Sequence, residues 1–278
     1  MFRRFLFIAF LCVSSLSCAN LFSELSEKDS DKAKLYDAKR FLDQSKWTEA
    51  ITKIQSLSAT YAARRDVKAL LASAYAGRCG IDMLNLINAI SSAQPSEKLF
   101  TTLFNAMASA TAAEIDDCAE AEEALNSIGV VADRTVDENL LMTFVEFGKI
   151  GAILNVVADT NDDNTLDPAF DACNDTLLKI DDAAAGNKAN ANQLVAALAT
   201  AITSLQQTGS TIAQTDLSDL QGVCNPGAAQ YNICTATDAA SVTTDQRKAI
   251  RAITNANEVG LVIINADTPT VLAGCTGT

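Results

Sequence analysis

The sequence predicts an all-α protein, and three observations carry that expectation. Gly (12) and Pro (4) are scarce among 278 residues, while Ala is abundant, so helix breakers are few and helix formers many. Apolar residues recur at three- and four-residue spacing over several long stretches. No stretch sustains the period-two alternation of a half-buried strand, so little or no sheet is expected.

The first residues are expected to be an export signal rather than part of the fold. Arg3 and Arg4 form a basic start, Phe5 to Val13 an apolar run too short to span a bilayer, and Ser14, Ser15 and Ser17 a small-residue approach to Cys18. Leu16-Ser17-Cys18 resembles the lipobox of bacterial lipoproteins, with Ser15 where Leu is usual and Leu16 where a small residue is usual. The resemblance implies cleavage after residue 17, a lipid on Cys18, and an outer-membrane lipoprotein facing the periplasm or the cell surface. The plain alternative is a secreted protein. Removing residues 1–17 takes two Arg and leaves 261 residues, with 19 Lys/Arg against 34 Asp/Glu, a net charge of −15. Residues 18–33 are polar and read as a tether. No later stretch is expected to be long and apolar enough to span a membrane, so the lipid would be the membrane attachment.

Residues 34–96 carry an internal repeat. Ala38-x-x-Phe41 recurs as Ala72-x-x-Tyr75, offset by 34 residues, with Trp47, Ala50 and Ile54 between them. The pattern resembles a tetratricopeptide (TPR) repeat. Small Ala38 and Ala50 would let two antiparallel helices approach, and Phe41, Trp47 and Ile54 would fill the space between them. Helices are expected over 34–46, 48–60 and 66–78. The second unit is degenerate: Ile81 stands for Trp47 and Leu84 for Ala50, with Cys79-Gly80 in the turn. Two units are too few for a solenoid, so these TPR-like hairpins should pack on the helices that follow. The resemblance implies a protein partner held in a groove lined by Leu35, Lys39, Leu42 and Ser73. The alternative is an ordinary helical hairpin surface.

Residues 97–278 are expected to be an irregular helical domain stapled by disulfides. Helices are expected over 97–112, with Leu99, Phe100, Leu103, Phe104 and Met107 on one face, and over 116–127. A long stripe over 135–158 carries Leu140, Leu141, Phe144, Phe147, Ile150, Ile153, Leu154 and Val157. Further helices are expected over 190–207 and over 244–264, the latter after a Thr243/Gln246 capping-box pair. Residues 208–243 read as a loop-rich excursion with a short helix near 216–221. The tail from Asp267 reads as irregular. Once Cys12 and Cys18 are set aside, six of eight Cys remain: Cys79, Cys118, Cys173, Cys224, Cys234 and Cys275. Export favours three disulfides, with about 15 connectivities open. The expected pairing is Cys79–Cys118, Cys224–Cys234 across the Asn225-Pro226-Gly227 turn, and Cys173–Cys275.

The chain has no His, which excludes Ser-His-Asp and Cys-His catalysis and every His-containing zinc site. A net charge of −13 argues against nucleic acid as a partner. The sharpest local signal is Asp159-Thr160-Asn161-Asp162-Asp163-Asn164-Thr165-Leu166-Asp167. Side-chain oxygens stand at positions 1, 3, 5 and 9 of the loop, and it resembles the first nine positions of an EF-hand. Asn164 takes the place of the turn glycine, and Asp167-Pro168 reads as the cap and first turn of an exiting helix. Position 12 is Phe170 rather than the bidentate Glu, which implies weak binding. The resemblance implies structural calcium held by Asp159, Asn161, Asp163, Asp167 and the Thr165 carbonyl, with Asp171 as a further ligand. A solvated polar loop is the alternative.

Other acid clusters read as solvated surface: Asp116, Asp117, Glu120, Glu122 and Glu123 on one helix, and Asp181-Asp182 before a turn. No Gly-rich phosphate loop occurs. The expected function is therefore protein binding or scaffolding at the cell envelope, without an enzymatic role. Two other classes stay open. A small-ligand-binding lipoprotein of a solute transporter would show an apolar pocket among Phe100, Phe104, Phe144 and Phe147. A carboxylate-dependent hydrolase would show two buried carboxyls facing each other.

Overall fold

The computed structural model describes residues 29–92, 98–179, 190–209, 224, 228–257 and 259–275. The expected signal peptide, Cys18, residues 18–28 of the tether, Asp181-Asp182, the short helix near 216–221 and the Asn225-Pro226-Gly227 turn lie outside these. Among the described residues the structure is helical, with no strand. The chain divides into two compact units, Met1–Ala74 and Tyr75–Thr278.

In the first unit α1 spans Asp31–Asp43, α2 Trp47–Gln55 and α3 Ala59–Ala62, and α4, Arg65–Arg78, contains the division. Ser30 caps α1 by accepting from the Ala33 amide, which satisfies one of the amides a helix start leaves unpaired. The chain leaves α1 through Ser45 in the left-handed conformation (φ 55°) and returns along it as α2. Ala38 and Ala50 are both fully buried, so the close approach expected from small residues is present. Ile51, Ile54 and Leu57 complete this core.

The helix expected over 48–60 is broken. The Asp31 carboxylate accepts from the Ser58 amide (2.9 Å) and from its hydroxyl (2.5 Å). That clip draws the chain out of the helical path after Gln55, and α3 is a separate single turn. The same two bonds, the hydroxyl's first, hold the Asp31 carboxyl below its usual range.

The second unit comprises α5 (Met83–Ser92), α6 (Leu99–Ala106), α7 (Ala112–Asn126), α8 (Val136–Ala158), α9 (Thr176–Lys179), α10 (Asn190–Thr208), three 3-10 turns within 229–241, α11 (Thr244–Asn255) and α12 (Thr268–Gly274). α8 is the axis. It packs against α6, α7 and, most extensively, α10. Capping boxes start α7 at Thr111, α8 at Thr135 and α11 at Thr243. Among the described residues α8 alone is long and apolar enough to cross a membrane. This corrects the expectation that no such stretch follows the signal. Most of it is buried in the unit's own core, however.

Close packing along α8 depends on two glycines. A Cβ on Gly151 would lie 2.4 Å from the Leu103 carbonyl oxygen and 2.6 Å from Met107 Cγ. A Cβ on Gly148 would lie 2.5 Å from the Ile81 side chain. Small residues here set how near α6 and residue 81 come to α8.

Helix ends differ from expectation where the chain itself satisfies the terminal carbonyls. The helix expected over 244–264 stops at Asn255. Returning amides of Leu261 and Ile264 donate to the carbonyls of Thr254 (2.7 Å) and Asn255 (2.9 Å). The helix expected to run to 112 stops at Ala106. Ser109 is left-handed (φ 63°), and Thr111 starts α7 afresh. The tail expected to be irregular forms α12. Asp267 caps it by accepting from the Thr270 amide, and Pro269 sits in its first turn.

Three disulfides tie the unit: Cys79–Cys118, Cys173–Cys275 and Cys224–Cys234. This is the expected pairing, and it agrees with an oxidising, exported setting. The first is doubled by its neighbours. Arg78 donates two bonds to the Asp117 carboxylate (2.8 and 2.6 Å), so adjacent residues on each side join the end of α4 to α7.

Two outcomes are expected. Gly151→Ala should lower unfolding free energy by about 1–3 kcal/mol through overpacking, read from urea denaturation. Peptide mapping without reductant should recover the three pairs above, and six free thiols would contradict the fold.

Candidate functional site

The residues expected to line a partner groove sit on α1 and α4. On α1, Leu35 and Leu42 are half-buried and Lys39 is exposed; their spacing places them on one side of the helix. Ser73 on α4 is half-buried, and its hydroxyl donates to the Ala69 carbonyl one turn back (3.0 Å). That bond is satisfied within the helix.

The acidic loop follows α8 directly, with Asp159 as the residue after its last turn. It is held by its own side chains. Asp159 accepts from the amides of Asp163 (3.0 Å) and Asn164 (2.8 Å), one on each carboxylate oxygen. Asn161 accepts from the Asp163 amide, and Asp163 from the Thr165 amide, both at 3.0 Å. Asp167 turns back to accept from the Thr160 amide (3.0 Å) and hydroxyl (2.6 Å). The hydroxyl first, then the amide, hold its carboxyl below the usual range. Asn164 is left-handed at φ 62°, the conformation its position in the loop requires. Its side chain accepts from the Ser109 hydroxyl (2.7 Å).

Asp171 lies elsewhere. Asn255 and Asn174 each donate to its carboxylate at 2.6 Å, and the Cys173 amide donates at 3.0 Å. Burial pushes this carboxyl up, but those bonds outweigh it and hold it below its ordinary value. Asp171 therefore organises the turn that leads to Cys173 and ties it to the end of α11. No helix starts at Pro168. Phe170 closes a turn onto the Asp167 carbonyl (2.9 Å) and is buried, and the next helical turn is α9. Among the described residues no three acidic, His or Cys side chains converge in the manner of a metal cage. The donors of the loop spend part of their capacity on its own amides. The free oxygens of Asp163 and Asp167 are the ones left to offer an ion.

The four phenylalanines named for a ligand pocket are core residues. Phe100, Phe104, Phe144 and Phe147 are all buried and belong to one apolar cluster with α10 and α11. They fill space rather than line it.

A site missed in the sequence lies between α7 and α8. Lys149 is fully buried, and its ammonium meets two carboxylates: Glu122 of α7, to which it donates, and Glu146 one turn back on α8. The Glu146 contact is 2.8 Å but is poorly aligned. Neither Glu146 oxygen therefore has a well-formed hydrogen bond. Arg134 approaches the same region, donating to Asn139 and Asn126 (both 3.1 Å). Burial first, then the neighbouring Glu122 charge, push the Glu146 carboxyl up to about 8, against the pull of Lys149 and Arg134. Burial opposes the charge on Lys149, but the two carboxylates outweigh it and raise its pKa. This is a lysine bridging two glutamates. It is not the open pair of facing carboxyls that acid–base hydrolysis needs.

Matches were sought among protein-family models, curated proteins and solved structures, and nothing matches this chain.

The buried glutamate makes stability depend on pH. Folding raises its pKa, so between about pH 4.5 and 8 the folded chain binds more protons than the unfolded one. Stability from this group is full below that window and is lost as pH rises through it. Glu146→Gln, which keeps the neutral shape, should flatten that decline. Urea unfolding at pH 5 and pH 8 would show the difference as a smaller loss in the variant, the wild type falling by at most about 1.4 kcal/mol per pH unit.

Proposed function

We propose that the chain is an envelope-anchored lipoprotein whose N-terminal helices hold a protein partner. The lipid on Cys18 would attach it to the outer membrane, and residues 18–28 would give reach. The observation that carries the partner-binding part is the placement of small residues. Ala38 and Ala72, 34 residues apart, and Ala50 between them are all fully buried. Close helix approach at these positions supports TPR-like packing. It leaves Leu35, Lys39 and Leu42 for contact with a partner, with Ser73 on α4 completing the groove. Fold-level analogy supplies the role, because a scaffold by itself does not specify what it binds.

The packing of Phe100, Phe104, Phe144 and Phe147 into the core favours this reading over a small-ligand carrier. Likewise, the lysine between Glu122 and Glu146 favours it over carboxylate hydrolysis.

Calcium is proposed as a structural ion of the 159–167 loop. Asp159, Asn161, Asp163, Asp167 and the Thr165 carbonyl would be its donors, and Asp171 would remain with Asn255. The support is the oxygen spacing and the left-handed Asn164. With no bidentate ligand at position 12, binding should fall in the sub-millimolar to millimolar range, about 10⁻⁴–10⁻³ M.

A photo-crosslinker at Lys39, used in the native envelope, should capture a reproducible protein that a crosslinker at Lys248 does not. Equal recovery from both positions would defeat the groove. Separately, calorimetric titration with calcium should release heat that Asp163→Ala abolishes. No heat, with melting unchanged by chelator, would remove the ion.

A further inference from the structure

The division of the chain at Ala74 separates charge as well as structure. Residues 29–74 hold nine Lys/Arg against six Asp/Glu, a net of +3, whereas residues 75–278 hold nine against 26, a net of −17. The net negative charge of this protein is therefore carried by the second unit. Three of the six acids in the first unit are engaged locally. Asp37 contacts Arg40 and Lys53, Asp66 contacts Arg64, and Asp31 holds Ser58.

One face of α1 sets three cations around an aromatic ring, with exposed Asp43 in its last turn and Asp37 paired to Arg40. Lys32, Tyr36, Lys39 and Arg40 follow at spacings of four, three and one, which places them together on a helix. All four are exposed, and Tyr36 is 71% exposed, among the highest values for a large apolar side chain in the described residues. An exposed aromatic residue with an apolar body and a polar tip, flanked by cations, is the composition that settles at a bilayer–water interface. Basic side chains near an anionic leaflet are attracted within about a Debye length, ~8 Å.

We infer that this face of α1 docks onto the anionic phospholipid headgroups of the membrane to which the chain is tethered. The inference rests on the envelope-anchored reading for its location. Twelve residues separate Cys18 from Asp31. That many residues reach at most about 45 Å, so the face stays near the surface. Charge supplies the orientation. An anionic surface attracts the first unit and repels the second. The strongly negative net charge of the whole chain would keep an unoriented molecule off the same surface. Lys39 borders the Leu35/Leu42 side proposed for the protein partner, so an acidic protein segment is the competing occupant of this face, and the experiment separates the two.

The test needs no cellular acylation. In the chain that begins at Cys18, the other six cysteines are paired, so Cys18 is the free thiol and can be coupled to a maleimide-headgroup lipid. The coupled protein is placed on vesicles of phosphatidylcholine alone or mixed with phosphatidylglycerol. Labelling of Lys32 and Lys39 by an amine reagent is compared with that of Lys248 by mass spectrometry. The expected result is slower labelling of Lys32 and Lys39 on the anionic vesicles only, by about fivefold per side chain. Added salt and the Tyr36→Ser/Arg40→Glu variant should each remove the slowing, with melting and disulfides unchanged. Equal labelling on both vesicle types would overturn the inference. So would slowing that appears only after an acidic polypeptide is added. Absence of a lipid on Cys18 in cells would refute the anchor reading and leave this result standing.

Discussion

A helix enclosed on every side must take its polar side chains inside with it. α8 is enclosed in this way, and most of the second unit can be understood as an answer to that constraint. Gly148 and Gly151 allow neighbours to come against its backbone. Asn155, 2% exposed, donates to the Phe104 carbonyl at the end of α6 (3.3 Å). Lys149 is neutralised by carboxylates from two turns of structure. An ion removed from water without partners costs several kcal/mol, so the Glu122–Lys149 pair adds a polar tie between α7 and α8 to their apolar contacts. Burying Glu146 beside Glu122 is the remaining cost, and it appears as a raised pKa.

The same logic governs the loops. Where α8 ends, the chain has no regular element to supply partners, so aspartates and asparagines supply them. Asp159, Asp163 and Asp167 hold the first turn, and Asp171 the second. Asn255 joins that second turn to α11, accepting from the Ala172 amide (2.8 Å) while donating to Asp171. Cys173–Cys275 then locks the same region to the residue that ends α12. Polar side chains, returning amides and a disulfide all act on one corner of the unit. The acidic sequence there is thus explained in large part by local hydrogen bonding, and an ion would add to an organised loop.

Much of this architecture was legible because it depends on local pattern. Apolar spacing marks α8 and α10, Thr243/Gln246 marks the start of α11, and Asn164 marks a left-handed turn. What escaped depends on contacts distant in sequence. Nothing near Asn255 announces that Leu261 and Ile264 will return to cap it, and nothing near Gln55 announces that Asp31 will capture Ser58. Proximity to the loop points to Asp171 as a ligand, but Asn255, 84 positions away, claims it. Glu146 and Lys149 resemble a surface pair at three-residue spacing. The available signal was that Phe144, Phe147, Ile150 and Ile153 cover too much of the helix to leave a wet face. The charge contrast between the two units became visible only when the structure placed their division at Ala74.

α8 is the buried axis of the second unit. Native-state amide hydrogen exchange on the disulfide-intact chain tests this most directly. The slowest amides should lie in the middle of α8 and in the facing turns of α10, and they should exchange only by global unfolding. Exchange along α8 as fast as that in α1 would contradict the account.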